Sequence, residues 1–125
     1  MVKRTERGWV GHFILGHRCL FRRNTLLEHN DTNIVISTVG NLMKKDEPIS
    51  GIEEIGIGRY YETMAFHAKL NDEYKDADVS RQITFAAAWN LEEPGLDKEA
   101  NNMHETVVDE IIRRLKAGDK FNQAT

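Results

Sequence analysis

Apolar and polar residues alternate along most of this chain, and only the last part changes period. Asn33 to Val39 reads Asn-Ile-Val-Ile-Ser-Thr-Val, β-branched at nearly every position, which stiffens χ1 and suits a pleated strand. His29-Asn30-Asp31 just before it is a turn signal, so the preceding run, Arg18 to Glu28, is expected to pair with it as a hairpin. In that run the odd positions Cys19, Phe21, Arg23, Thr25 and Leu27 are the more apolar, so Arg18 and Arg22 are expected to point outward together. Trp9 to His17 is expected as an earlier strand, with Gly16 bending the chain between it and the Arg18 run. Lys44 to Gly51, with Pro48, is a polar loop.

Tyr60 to Leu70 alternates again, with Met64, Phe66, Ala68 and Leu70 on one side and Arg59, Tyr61, Thr63, His67 and Lys69 on the other. Asn71-Asp72 turns the chain. Tyr74 to Val79 and Arg81 to Asn90 are expected as strands, the latter placing Ile83, Phe85, Ala87 and Trp89 on one face. Then the spacing becomes three and four: Ala100, Met103, Val107, Val108, Ile111, Ile112 and Leu115 form an apolar helical stripe. Asp97 is the expected N-cap and Gly118 the expected stop. Glu99 and Glu105 sit early, Arg113, Arg114 and Lys116 late, as the helix dipole prefers. Strands first and a helix last, with hairpin-length links, predict an α+β fold: an antiparallel sheet of about six strands with the C-terminal helix packed on one face.

The 125 residues suffice for one domain spanning 1–125, and 40% apolar with 30% charged residues is a globular composition. No apolar run approaches the ~20 residues of a membrane helix, and no leader pattern is present, so a cytoplasmic location is expected. Cys19 is the only cysteine, which precludes an internal disulfide and reads as a small core residue.

Net charge is −3 but uneven: residues 1–30 carry +4 and the remainder −7. An acidic protein with a local cationic face suits a small phosphorylated ligand better than long nucleic acid.

Catalytic signatures are missing. The histidines His12, His17, His29, His67 and His104 show no metal-ligand spacing. Gly56-x-Gly58 lacks a third glycine at Tyr61, and neither a P-loop nor a nucleophile elbow occurs. The expectation is therefore a binder, with no catalytic residues, no metal and no cofactor. A nucleotide binder needs donors for phosphate, a ring for the base and polar groups for ribose and base edges. Arg18, Arg22, Arg23, Arg59 and Arg113 are phosphate candidates. Tyr60, Tyr61, Phe85 and Trp89 are stacking candidates. Asn24, Asn90, Asn101 and Asn102 are edge readers.

The blocks Gly8-Trp9-Val10-Gly11-His12-Phe13, Val35-Ile36-Ser37-Thr38-Val39-Gly40, Glu53-Glu54-Ile55-Gly56, Arg59-Tyr60-Tyr61-Glu62-Thr63-Met64-Ala65-Phe66, Asp76-Ala77-Asp78-Val79 and Met103-His104-Glu105-Thr106-Val107-Val108 together resemble the first family of phage Thoeris anti-defence proteins. The resemblance spans nearly the whole chain, and the Arg59 and Met103 blocks are its most specific parts.

That resemblance implies a molecular sponge, not an enzyme. In Thoeris defence a TIR-domain enzyme makes a cyclic ADP-ribose isomer, of the gcADPR type, that activates an NAD-destroying effector; the sponge sequesters the isomer undegraded in the cytoplasm of the infected bacterial host. It further implies homo-oligomers, dimers assembled into hexamers, and in some members a separate site for the cyclic trinucleotides of CBASS defence. DNA and membranes are not implied as partners.

By position, the resemblance assigns ligand contacts to Arg59, Phe85 and Arg113, with a second-strand arginine at Arg22 or Arg23 and an asparagine at Asn101, Asn102 or Asn90; Tyr61 adjoins them. Arg4, Arg7, His17 and Arg18 are candidates for the trinucleotide site. Two other readings are a small nucleotide hydrolase using Glu62 or His67 with a recruited metal, and a phage structural protein without a ligand. A sponge has to bind at or below the signal concentration, and nanomolar affinity is about −12 kcal/mol. That demands a closed, preorganised pocket, so subunit contacts are expected to complete the site.

Overall fold

The computed structural model describes residues 1–9, 11–12, 19–43, 52–53, 55, 58–83 and 90–121. Its elements are β1 (Lys3–Arg7), β2 (Cys19–His29), β3 (Thr32–Met43), β4 (Ile52–Glu53), β5 (Tyr61–Ala68), β6 (Ala77–Ile83), β7 (Asn90–Leu91) and α1 (Asp97–Lys116). The strands form one antiparallel sheet in the order β1-β2-β3-β5-β6, with β4 beside the end of β3 and β7 beside the start of β5. The helix lies across one face. The α+β architecture read from the sequence is therefore the observed one. Among the described residues no helix is long and apolar enough to cross a membrane.

The β2–β3 hairpin turns at Asn30-Asp31, with His29 opposite Thr32 and Asn30 at φ +54°. Asparagine tolerates the left-handed region that such a turn needs. The pairing continues in register from His29↔Thr32 to Cys19↔Leu42, so β3 runs well past the expected Val39.

Three sequence expectations need correction. The charged N-terminus, read as no element, forms β1, because its register opposite β2 alternates Arg4 and Glu6 toward the helix with Arg7 toward the other face. The described part of the expected strand Trp9–His17 leaves the sheet instead: Gly11 sits so close to Ser37 that an added Cβ would meet its Oγ at 2.6 Å. The break expected at Ser80 is absent, since Ala77–Ile83 is one strand. The preceding segment turns at Glu73 and Tyr74, closed by the Lys75 amide on the Asp72 carbonyl and braced by the Asp72 carboxylate, which accepts the Tyr74 and Asp76 amides. Residues 13–18, 44–51 and 84–89, where further strand and loop expectations fell, lie outside the described residues.

Apolar residues are buried on both faces of the sheet. On the helix side Leu27, Ile34, Ile36, Ala65 and Ile83 pack against Val107, Val108, Ile111, Leu115 and Phe121. On the outer side Leu26, Val35, Phe66, Ala68 and Ala77 form a second cluster. The side of β5 with the polar pattern is the one that meets the helix, and each of its buried polar side chains, Tyr61, Thr63 and His67, makes a hydrogen bond. Thr63 bonds Thr38 at 2.6 Å, and Thr38 and Thr25 each bond a ring nitrogen of His104 at 2.7 Å. His67 Nε2 bonds the Phe121 carbonyl. A buried polar line of this kind is stable only because every member finds a partner.

Asp97 is the first helical residue, not the N-cap; Leu96 holds that place without a side-chain bond. The Asp97 carboxylate accepts instead from Tyr61 and Asn41. Gly118 ends the helix at φ +93°, as expected for a left-handed C′ residue.

Candidate functional site

Strand register assembles a polar group on the outer face, at the sheet end nearest the helix start. Arg22 lies opposite Val39, Val39 opposite Glu62, and Glu62 opposite Asn90. Directly opposed residues of antiparallel strands point to the same face, so Arg22, Glu62 and Asn90 project together over an apolar floor. That floor is Val39, packed with Cys19, Leu42 and the partly buried Ile55. Strands lie about 4.8 Å apart, which places Asn90 beside Glu62 and Arg22 about 10 Å from it.

Arg59 joins this group through a short loop. The Ile55 amide donates to the Arg59 carbonyl at 2.8 Å, and Gly58 takes φ +69°, a conformation glycine adopts without cost. The Tyr60 amide donates to the Leu91 carbonyl at 2.8 Å, which fixes β7 alongside. The guanidinium then stands next to Glu62, with Arg59 Nε 3.5 Å from Glu62 Oε2. That Nε is buried and makes no hydrogen bond among the described residues.

The other Glu62 oxygen bonds His12 Nε2 at 3.1 Å, and His12 Nδ1 meets Ser37 Oγ at 2.7 Å. The hydrogen bond from His12, then the charge of Arg59, hold the Glu62 carboxyl below its ordinary pKa against the opposing effect of burial. An ionised carboxylate only accepts, so His12 Nε2 carries a proton toward it. His12 also packs against the Phe66 ring, 5.7 Å between centroids. The order Ser37, His12, Glu62 resembles a nucleophilic triad in its connectivity. Ser37 is fully buried beneath Gly11, however, so its hydroxyl is closed to a substrate and acts as a brace.

The expected ligand residues divide between two layers. Arg59, Arg22 and Asn90 share the outer face. Arg22 is exposed and makes no side-chain bond among the described residues. Arg23 points the other way, to Glu6 at 2.6 Å and Glu105 at 2.9 Å. Of the two arginines, Arg22 is the one that shares the outer face with Glu62 and Asn90. Tyr61, expected near the ligand, is fully buried against the helix, with its hydroxyl bonded to Asp97 and its pKa raised by burial and that carboxylate. Asn101 and Asn102 are exposed near the helix start, in the opposite layer. Arg113 is exposed further along, paired with Glu110, about 18 Å from Asn101 at 1.5 Å per residue. Phe85, His17 and Arg18 lie outside the described residues.

Of the expected second site, only Arg4 and Arg7 are among the described residues, and they lie on opposite faces of the sheet. Arg4 binds Glu6 and Glu105 on the helix side. Arg7 faces outward, donating to Asn24 Oδ1 at 3.0 Å and to the Tyr74 and Lys75 carbonyls, under the Trp9 ring at 4.8 Å.

One described trio, Glu6, His104 and Glu105, brings possible metal-ligand atoms within 4.8 Å of one another. Arg4 and Arg23 already neutralise both carboxylates, and both His104 nitrogens are bonded to threonines. Burial, then the nearby Arg23, lower the His104 pKa to about 4. The trio reads as an ion-pair network, not a metal centre.

Sequence reasoning missed His12 and Ser37. They stand 25 residues apart from each other and 50 and 25 residues from Glu62, and no local spacing signals such a contact. Compared with protein-family models, curated proteins and solved structures, the chain gives no match.

Proposed function

We propose that this protein captures a cyclic ADP-ribose isomer of the gcADPR type and holds it with every covalent bond intact, as the resemblance to phage Thoeris anti-defence proteins implies. The observation that carries this reading is the outer-face group: Arg22 and Asn90 share a face and rung with Glu62, and Arg59 stands beside it, over an apolar floor. Two guanidiniums match a pyrophosphate, a carboxylate accepts from ribose hydroxyls, and an amide reads a base edge. Charge-assisted hydrogen bonds of roughly 1.5–3 kcal/mol each make such a set adequate for tight binding when water is excluded.

Arg113 lies in the opposite layer, so its part in the pocket requires a second copy of the chain. Dimers assembled into hexamers supply one. Phe85 is the proposed stacking ring by resemblance.

The hydrolase reading has less support. Glu62 already engages His12 and Arg59, and His67 faces the helix, where Phe121 occupies its Nε2. For the cyclic trinucleotides, nothing in the placement of Arg4 and Arg7 on opposite faces favours a shared site.

The test is depletion. Purified protein is mixed with a gcADPR-type isomer, filtered, and the filtrate assayed by mass spectrometry. The isomer is expected to vanish from the filtrate and to return unaltered after heating, and folded Arg59→Ala is expected to lose at least tenfold in uptake. Recovery of a hydrolysed product, or undiminished uptake by Arg59→Ala, overturns the proposal.

A further inference from the structure

We infer that Glu62 is the specificity residue of this site: it receives the ribose hydroxyls of the ligand, and Arg59 is only its resting partner. The inference rests on the nucleotide-capture reading above. Three features lead to it. First, the Arg59–Glu62 pair is incomplete, since Arg59 Nε is buried without a hydrogen bond among the described residues and stands 3.5 Å from Glu62 Oε2. A phosphate oxygen offers that guanidinium a shorter, bidentate contact, so the ligand can take Arg59 from Glu62. Second, this exchange frees only Oε2, because Oε1 stays bonded to His12 Nε2 at 3.1 Å. His12 is itself fixed by Ser37 and Phe66. The carboxylate therefore keeps its position and its charge with one oxygen open. Third, Glu62 sits centrally, with Asn90 directly opposite it and Arg22 on the same rung beyond Val39.

An ionised carboxylate accepts hydrogen bonds and repels phosphate, so it favours hydroxyl-bearing ligands and disfavours bare anions. Nucleotide folds use an acidic residue on a ribose hydroxyl for the same reason. Glu62 then separates a ribose-containing pyrophosphate from free pyrophosphate, while Arg22 and Arg59 attract both.

Calorimetry with a gcADPR-type isomer and with inorganic pyrophosphate tests this on the full chain. Glu62→Gln keeps the size and removes the charge. Its affinity for the isomer is expected to fall at least tenfold, while its affinity for pyrophosphate stays level or rises. Glu62→Asp, which keeps the charge, is expected to retain the preference for the isomer, and it serves where Glu62→Gln fails to fold. Parallel losses for both ligands would make Glu62 a mere brace for Arg59 and overturn the inference. Unchanged isomer binding by Glu62→Gln, or loss of the preference in folded Glu62→Asp, also overturns it while leaving the capture reading intact. Wild-type protein that binds no isomer overturns both.

Discussion

The Tyr61 hydroxyl donates to the Asp97 carboxylate, tying the start of strand β5 to the first turn of helix α1. Asn41 reinforces the tie. At φ +49° its side chain turns toward the helix, donating to Asp97 and accepting the Gly95 amide at 3.1 Å. Asp97 thereby gives up the capping role its position suggested and anchors the helix entry to two strands.

Removing the phenolic hydroxyl isolates that tie. Tyr61→Phe keeps the buried ring and leaves Asn41 on Asp97, so a loss of about 1–3 kcal/mol is expected for a hydrogen bond to a charged group. Asp97→Ala is expected to cost more, because Tyr61 is fully buried and its hydroxyl would then lack an acceptor. Urea melts of both variants check the order. Equal stability of Tyr61→Phe and wild type would mean that the tie contributes nothing.

The same ring fixes a glycine. A Cβ on Gly40 would stand 2.2 Å from Tyr61 Cδ2 and 2.8 Å from the Tyr60 carbonyl oxygen. Phe21 packs edge-on against the ring at 5.7 Å, and the hydroxyl holds its far end, so Tyr61 has nowhere to move. Gly40→Ala is expected to destabilise by about 1–3 kcal/mol, as overpacking does. A midpoint shift in urea without a change of slope is the expected signature.

These contacts explain which parts of the structure the sequence revealed. Asn33–Val39 and the stripe from Ala100 to Leu115 were legible because a local period of two or of three and four reports directly on a half-buried strand or helix. Strand β1 was not legible, because its residues Lys3, Arg4, Glu6 and Arg7 alternate in partner rather than in polarity. The parity of β5 held from Tyr61 to His67, but Arg59, expected on the Tyr61 side, precedes the strand in a loop and stands beside Glu62 on the outer face; nor did parity say which side the helix covers, since hydrogen bonding let the polar side face inward. The resemblance named Arg59 as a candidate, with Asn90 and Arg22 as open alternatives. Their grouping depends on the rung Arg22–Val39–Glu62–Asn90, which is a property of register across four strands.

The buried His104 gives the fold a pH dependence with a definite sign. Its pKa is lowered to about 4 in the folded protein, chiefly by burial, and is about 6.5 when unfolded. The unfolded chain therefore binds the proton first as pH falls. The contribution of the neutral ring is complete above pH 6.5 and is lost as pH falls toward 4. The loss is on the order of 3 kcal/mol at the bottom of that window. His104→Gln, which cannot titrate, is expected to be less stable at pH 7.5 and to show a flatter decline between pH 6.5 and 4. An unchanged slope in chemical melts across that range would remove His104 as the cause.

Adjacent arginines on β2 give the last and sharpest contrast. Arg22 projects to the outer face without a side-chain bond among the described residues, whereas Arg23 braces Glu6 and Glu105 beneath the helix. Truncating a free surface cation changes stability by less than about 0.5 kcal/mol, while losing Arg23 leaves two carboxylates to Arg4 alone and is expected to cost on the order of 1 kcal/mol. Ligand binding is expected to reverse the order. A phosphate contact of roughly 1.5–3 kcal/mol lost from Arg22→Ala corresponds to a drop in affinity of about tenfold to a hundredfold. Arg23→Ala, on the far side of the sheet, is expected to bind within about threefold of wild type, since it contributes no contact. Thermal melts and calorimetry on the two variants separate the faces, and a folded Arg23→Ala with the larger affinity loss would move the site to the helix side of the sheet.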